Sequence, residues 1–153
     1  MSRSEIKIYV VVLFLAILLN FLVISPVVFE NVGLSKFSEI VYRFFSPLCH
    51  QDDLRSFHIN GIKLAVCSRC SLIYLGALIG VLISPFLNRK DLSERSNFLL
   101  VLALIPSAIE FLFEKVVGVN VLGVKIWVSL WLGGVAGAIL TSQLVDMFSS
   151  RKS

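Results

Sequence analysis

Charge is scarce in this chain. Asp, Glu, Lys and Arg together make up 16% of the residues, against 57% hydrophobic, whereas a soluble domain carries roughly a quarter charged residues. An ordinary water-soluble fold is excluded. Cysteine and histidine are rarer still, three and two in the whole sequence, and all five fall between Cys49 and Cys70. An odd number of cysteines argues against an electron relay built from two disulfide pairs. No small-x-small cleavage site follows the first apolar run, so that run reads as a retained segment rather than a leader. There is no internal repeat and no low-complexity stretch. The net charge of +4 is not gathered into a tail or stripe, which leaves no nucleic-acid interface. The bases instead flank apolar segments, where they set membrane topology.

Four segments meet the requirement of roughly 20 apolar residues for a bilayer crossing: Ile6 to Ile24, Ser71 to Leu87, Phe98 to Val117 and Ile126 to Met147. Four crossings put both termini on one side. The 14 bases then divide evenly, Arg3, Lys7, Arg89, Lys90, Arg95, Arg151 and Lys152 against Lys36, Arg43, Arg55, Lys63, Arg69, Lys115 and Lys125. The first set lies in much shorter segments, and short base-rich segments are retained in the cytoplasm. The expectation is a single multi-pass membrane domain over 1–153 in the cell membrane, with cytoplasmic termini and an extracytoplasmic cap over 25–70.

Within the cap, Phe37, Ile40, Val41, Phe44, Phe45 and Leu48 recur with helical period and predict an amphipathic helix in the interface plane or across the bundle mouth. Ser35 is its expected N-cap and Pro47 its stop. Asn60-Gly61 lies between Phe57-His58-Ile59 and Ile62-Lys63-Leu64, and Asn-Gly in that setting predicts a two-residue type I′ hairpin. Counting outward pairs Ile59 with Ile62, His58 with Lys63, Phe57 with Leu64, Ser56 with Ala65 and Arg55 with Val66. Phe57, Ile59, Ile62, Leu64 and Val66 would share one face. The fold class is thus an all-α membrane protein: a four-transmembrane-helix bundle with an interfacial amphipathic helix and a small cysteine-bearing β-hairpin on the extracytoplasmic side.

The hairpin gathers Cys49, His50 and the Cys67-x-x-Cys70 knuckle at its open end. Three thiolates and one imidazole form a standard tetrahedral zinc set, so the favoured function is a Cys/His zinc site of Cys49, Cys67, Cys70 and His50 beside an intramembrane carboxylate. Arg55 and Arg69 would offset its negative charge. Adjacent residues rarely reach one metal together, so His50 alternatively stands outside the ligand set as a general base. The open coordination position would then activate water, with Glu110 or His50 handling protons. His58, across from Lys63, reads as solvated. A redox reading competes: a Cys-x-x-Cys at a helix start, with Arg69 inside it, lowers thiol pKa as thiol–disulfide exchange requires, and Cys49 becomes the attacking or resolving partner. The plain alternative is that the cysteines are packed or singly bridged.

Glu110 is the conspicuous charge inside a span, where an ionised carboxylate costs about 2.5–3.5 kcal/mol on insertion scales and so needs a partner. Glu114 lies one turn on, along the same face, and Arg69 and Tyr74 are the partners at matching depth. Pro106 one turn earlier frees a carbonyl, which also fits a small transporter or channel component using Glu110. Gly76 and Gly80 form one small-residue face and Gly133 and Gly137 another. These faces either pack on each other or join copies into a homo-oligomer.

The ordered set Cys49-His50-Gln51, Arg55-Ser56-Phe57, Gly61, Cys67-x-Arg69-Cys70, Tyr74 and Gly76 resembles the signature of a family of small prokaryotic integral membrane proteins, domain of unknown function 2085. The resemblance is close over the central third and looser over the two later spans. It implies an integral membrane protein in which these residues matter, and names no reaction. Its members often carry an acidic residue followed by glycine in the third span and an arginine near the start of the fourth. Here Glu110 is followed by Phe111, and Lys125 and Trp127 open the fourth span. The four-span plan with a Cys-x-x-Cys opening the second is also similar in layout to quinone-coupled disulfide-generating membrane proteins.

Overall fold

The computed structural model describes residues 3–87, 92, 95–117 and 122–150. Its elements in chain order are α1 (Arg3–Asn31), α2 (Ser35–Phe45), β1 (Ser56–Ile59), β2 (Ile62–Cys67), α3 (Ser68–Ile83), α4 (Ser96–Val117) and α5 (Leu122–Ser150). A 3-10 turn over Asp53–Arg55 precedes β1, and another over Ser84–Phe86 extends α3. Helices α1, α3, α4 and α5 span the membrane, being long and apolar enough to cross it. The short α2 does not span, and the antiparallel pair β1–β2 carries the cysteine cluster. Of the bases assigned to the cytoplasmic side, Arg89, Lys90, Arg151 and Lys152 lie outside the described residues.

Helix α1 runs well past Ile24, where the apolar count ended it, through Pro26 to Asn31. Proline at 26 removes the N–H that would bond the carbonyl of Leu22. Ser25 Oγ donates to that same carbonyl at 2.9 Å, which keeps the helix satisfied across the interruption. Helix α2 starts one residue earlier in cap terms than Ser35 predicts. Leu34 is the N-cap, while the Ser35 hydroxyl donates to Glu30 Oε2 at 3.0 Å. The chain stops being helical after Phe45, two residues short of Pro47.

The apolar stripe of α2 is split between two environments. Ser38, Val41 and Phe45 are buried, whereas Phe37, Ile40 and Phe44 stay exposed. Such an outward apolar strip on a short polar-backed helix is what the headgroup–acyl boundary accommodates.

The hairpin turns where the sequence places it. Asn60 (φ 53°) and Gly61 (φ 79°) both adopt the left-handed conformation that a type I′ turn requires, and Ile59–Ile62 and His58–Lys63 pair as counted. Beyond them the register departs from expectation: a bulge intervenes and Ser56 pairs with Cys67 instead of Ala65. The strict alternation of faces is lost with it. Leu64, Ala65 and Val66 are all buried, because β2 is wedged into the cluster formed by Val23 and Val27 of α1 and Val41 and Phe45 of α2. A bulge inserts unpaired residues into one strand and bends it, which delivers Cys67 to the mouth of α3.

Helices α3 and α5 approach backbone to backbone. A Cβ on Gly80 would overlap the Gly134 carbonyl oxygen, one on Gly76 the Leu130 carbonyl, one on Gly133 the Ile73 carbonyl and one on Gly137 the Ala77 carbonyl. The two glycine faces therefore fill each other within a single chain. They are not free surfaces for the homo-oligomer that the pattern alone allowed.

Candidate thiol site

Directly after α2, a turn closed by the Cys49 N–H donating to the Phe45 carbonyl at 2.9 Å carries Cys49 under the hairpin. Its side chain joins the core made by Phe45, Leu64, Ala65 and Val66 and is 7% exposed. Cys67 is the N-cap of α3, in extended conformation, and Cys70 stands in that helix's first turn. The three sulfurs lie within 4.8 Å of one another, and all three cysteines are free thiols. Sulfurs this close are able to ligate a metal ion or to pair with one another.

The sulfurs are held by backbone donors. The N–H of Cys67 donates to Cys49 Sγ at 3.2 Å and the N–H of Gln51 to the same sulfur at 3.5 Å. Gln51 takes a positive φ of 50°, uncommon for a residue with a side chain. Its amide fixes it there, donating to the carbonyls of Tyr42 at 2.7 Å and Ala65 at 2.9 Å. Lys63 Nζ donates to the Gln51 carbonyl at 3.4 Å, and Tyr42 Oη donates to the Lys63 carbonyl at 2.6 Å. The Cys49 loop is thereby stapled to both α2 and β2. At Cys67 the Cys70 thiol donates to the sulfur, and N–H groups of Cys70 and Arg69 add to it. Against the desolvation of a half-buried site, these donors and the Cys49 thiol pull the Cys67 pKa down to about 5.

His50 is absent from the cluster. Cys49 turns inward to the core, so the next side chain along the chain turns outward, and His50 is exposed. The Cys/His zinc site is therefore overturned: three thiols and no imidazole share the site. His58 lies on the exposed rim, where Nε2 is 3.3 Å from Asp53 Oδ1.

The carboxylates serve a different group. Arg69 Nη2 donates to Glu110 Oε2 at 2.6 Å and to Glu114 Oε2 at 2.8 Å, and its guanidinium stands 5.3 Å from the Phe111 ring centroid. Lys125, 3% exposed, donates from Nζ to Glu114 Oε1 at 3.3 Å, and Arg55 reaches the same oxygen at 4.0 Å. Glu110 is thus the partner of an arginine and not of the thiol cluster. Its other expected partner, Tyr74, faces elsewhere. That ring packs 6.2 Å from Phe45, and its backbone carbonyl accepts from Asn20 Nδ2 at 3.1 Å. Ser56 Oγ donates to the Asp52 carbonyl at 2.7 Å and shapes the turn into β1.

Three contributors escaped the sequence reading. Lys125 was legible as a topology-setting base and as the residue opening the fourth span, where the resembling family often has an arginine, but not as the partner of Glu114. Tyr42 and Lys63 gave none, since their roles depend on α2 lying against the hairpin.

A four-span membrane bundle with a three-thiol cluster stapled at the end of its second membrane helix defines a small polytopic membrane protein with a thiol-bearing cap. The chain belongs to the family described as "Predicted membrane protein (DUF2085)", which matches residues 49–144 and so takes in every residue of the cluster. It is 38% identical over 108 residues to a protein of Methanocaldococcus jannaschii described as uncharacterized, covering 63% of this chain and 69% of that one. No solved structure matches the chain.

Proposed function

We propose that this protein is a membrane thiol–disulfide oxidoreductase whose working thiols are Cys67, Cys70 and Cys49. The observation that carries the reading is the mutual approach of three free sulfurs within 4.8 Å, one of them capping a helix. Supporting it, the Cys67 thiol is held near pKa 5, so at neutral pH it is the thiolate that attacks a disulfide. Cys67 Sγ bonds to one sulfur of a partner disulfide, that S–S bond breaks, and the other partner sulfur leaves as a thiolate and takes up a proton. A neighbouring thiol of the cluster then loses its proton and displaces the second partner sulfur from Cys67. Two cysteines of the chain are oxidised to a disulfide and the partner is reduced to two thiols. A thiol or dithiol donor reverses the exchange.

The cap is placed on the extracytoplasmic side and the termini in the cytoplasm. Two considerations support this: the bases of the opposite face lie in shorter segments, and an oxidising compartment permits the exchange. Zinc held by the three thiolates alone is the competing occupant. Both are separated by equilibrating the full-length protein in detergent with glutathione redox buffers, quenching in acid, and counting thiols and metal. One intramolecular disulfide that forms and reverses with the buffer is the expected result. Near-stoichiometric zinc with no disulfide in any buffer overturns the proposal.

A further inference from the structure

The cluster holds two thiols that could release a partner from Cys67, and they are not equivalent. Cys70 lies within the same knuckle, in the first turn of α3. Cys49 comes from a different part of the chain, and its sulfur is an acceptor: it receives the N–H of Cys67 at 3.2 Å and the N–H of Gln51 at 3.5 Å. Two fixed backbone donors converge on this sulfur and hold it in place beside Cys67. One of those donors belongs to the residue that carries the sulfur to be attacked. At 7% exposure, Cys49 is also shielded from disulfides arriving from outside, so it does not compete with Cys67 for the first attack.

The backbone of Gln51 is held in a conformation that a side-chain-bearing residue seldom adopts, φ 50°, and such outliers persist only where the surroundings over-determine them. Here the surroundings are specific. The side-chain amide spans from the end of α2 to β2 through the carbonyls of Tyr42 and Ala65, and this orients the Gln51 N–H toward Cys49 Sγ.

We infer that Cys49, not Cys70, is the resolving thiol of this exchange, and that Gln51 is the residue that positions it. This rests on the thiol–disulfide reading above and deepens it. With glutathione disulfide as partner, Cys67 takes one glutathione in mixed disulfide and releases the first as a thiol. Cys49 gives its proton to water, its thiolate bonds to Cys67 Sγ, and the second glutathione leaves with the bonding electron pair. The product is a Cys49–Cys67 disulfide, and one glutathione disulfide has become two glutathione thiols. Cys70 takes no part in this exchange.

The test uses full-length protein in detergent, reduced and then mixed with glutathione disulfide, with samples alkylated at intervals and the modified peptides assigned by mass spectrometry. Wild type is expected to give the Cys49–Cys67 disulfide. Cys49→Ser should accumulate glutathione on Cys67, whereas Cys70→Ser should still resolve it. Gln51→Gly, which tolerates the positive φ but lacks the amide, should slow resolution by about tenfold or more, the scale of a misplaced reacting group. It should leave the first attack on Cys67 unchanged, and Gln51→Asn should recover part of the loss, a split that general loosening of the cap would not give. Accumulation on Cys67 in Cys70→Ser with normal resolution in Cys49→Ser, or a Cys67–Cys70 disulfide in wild type, overturns the assignment while leaving the exchange reading intact. Absence of any mixed disulfide in all variants overturns the exchange reading itself.

Discussion

Cys67 donates its backbone N–H to Cys49 Sγ at 3.2 Å, although the two residues are 18 apart in sequence. This one bond ties the end of β2 to the loop leaving α2, and with them the N-terminus of a membrane helix. The thiol cluster thereby joins the cap to the start of the second span.

The Cys67 thiol should titrate far below the ordinary thiol range. With half-ionisation at about 5, its alkylation by iodoacetamide should be flat across neutral pH and fall about tenfold per pH unit below that point, following the thiolate fraction. Cys70→Ala removes the foremost donor and should move the half-point upward. Folding lowers this group's pKa from 9.0, so its ionisation contributes stability that is complete above the unfolded value and is lost as pH falls through the folded one. An alkylation rate that climbs steadily between pH 7 and 9 would contradict this.

Arg69→Leu should destabilise the protein by roughly 3–5 kcal/mol, the effect of leaving a buried charge without its partner. Glu110 would lose its 2.6 Å partner, while Glu114 would keep Lys125 at 3.3 Å. Adding Glu110→Leu to Arg69→Leu should therefore recover a large part of the loss. Unfolding in mixed micelles with increasing denaturing detergent reads both. A double variant no better than the single would mean that the pair is not coupled as described.

Gly80→Val places a side chain where the Gly134 carbonyl oxygen stands. Because the obstacle is backbone, α3 and α5 must separate, with a loss of roughly 1–3 kcal/mol or more. Light scattering on the purified variant should report the same oligomeric state as wild type. A change of oligomeric state without loss of stability would assign the glycine face to contacts between copies.

Gly61→Val forces a β-branched residue to φ 79°, with an expected loss of roughly 1–2 kcal/mol from the left-handed conformation alone. Asn60→Gly should be nearly neutral in comparison. Thermal unfolding followed by near-ultraviolet dichroism of the cap distinguishes them, and equal tolerance of both would remove the type I′ turn.

Local rules made much of this protein legible without coordinates. Apolar run length is enough to identify four membrane helices, because a span has to satisfy its backbone within itself and only a long apolar helix does so in lipid. Asn60-Gly61 specifies the turn for an equally local reason, the positive φ at both central residues. That turn sends the chain back toward Cys49, and the bulge in the hairpin with the turn after α2 completes the approach of Cys49 to Cys67 and Cys70.

What the cysteines have around them was decided by tertiary packing. His50 stands next to Cys49 in sequence, but burial of Cys49 against Phe45 and Val66 turns its neighbour to solvent, and no spacing rule contains that choice. The bulge that pairs Ser56 with Cys67 arises because α1 and α2 enclose β2 on more than one side, so its buried residues stop alternating. Glu114 finds Lys125 and Arg69 only when three membrane helices meet at one depth. Spacing along the chain reports which groups are able to meet; desolvation in the assembled fold selects which of them do.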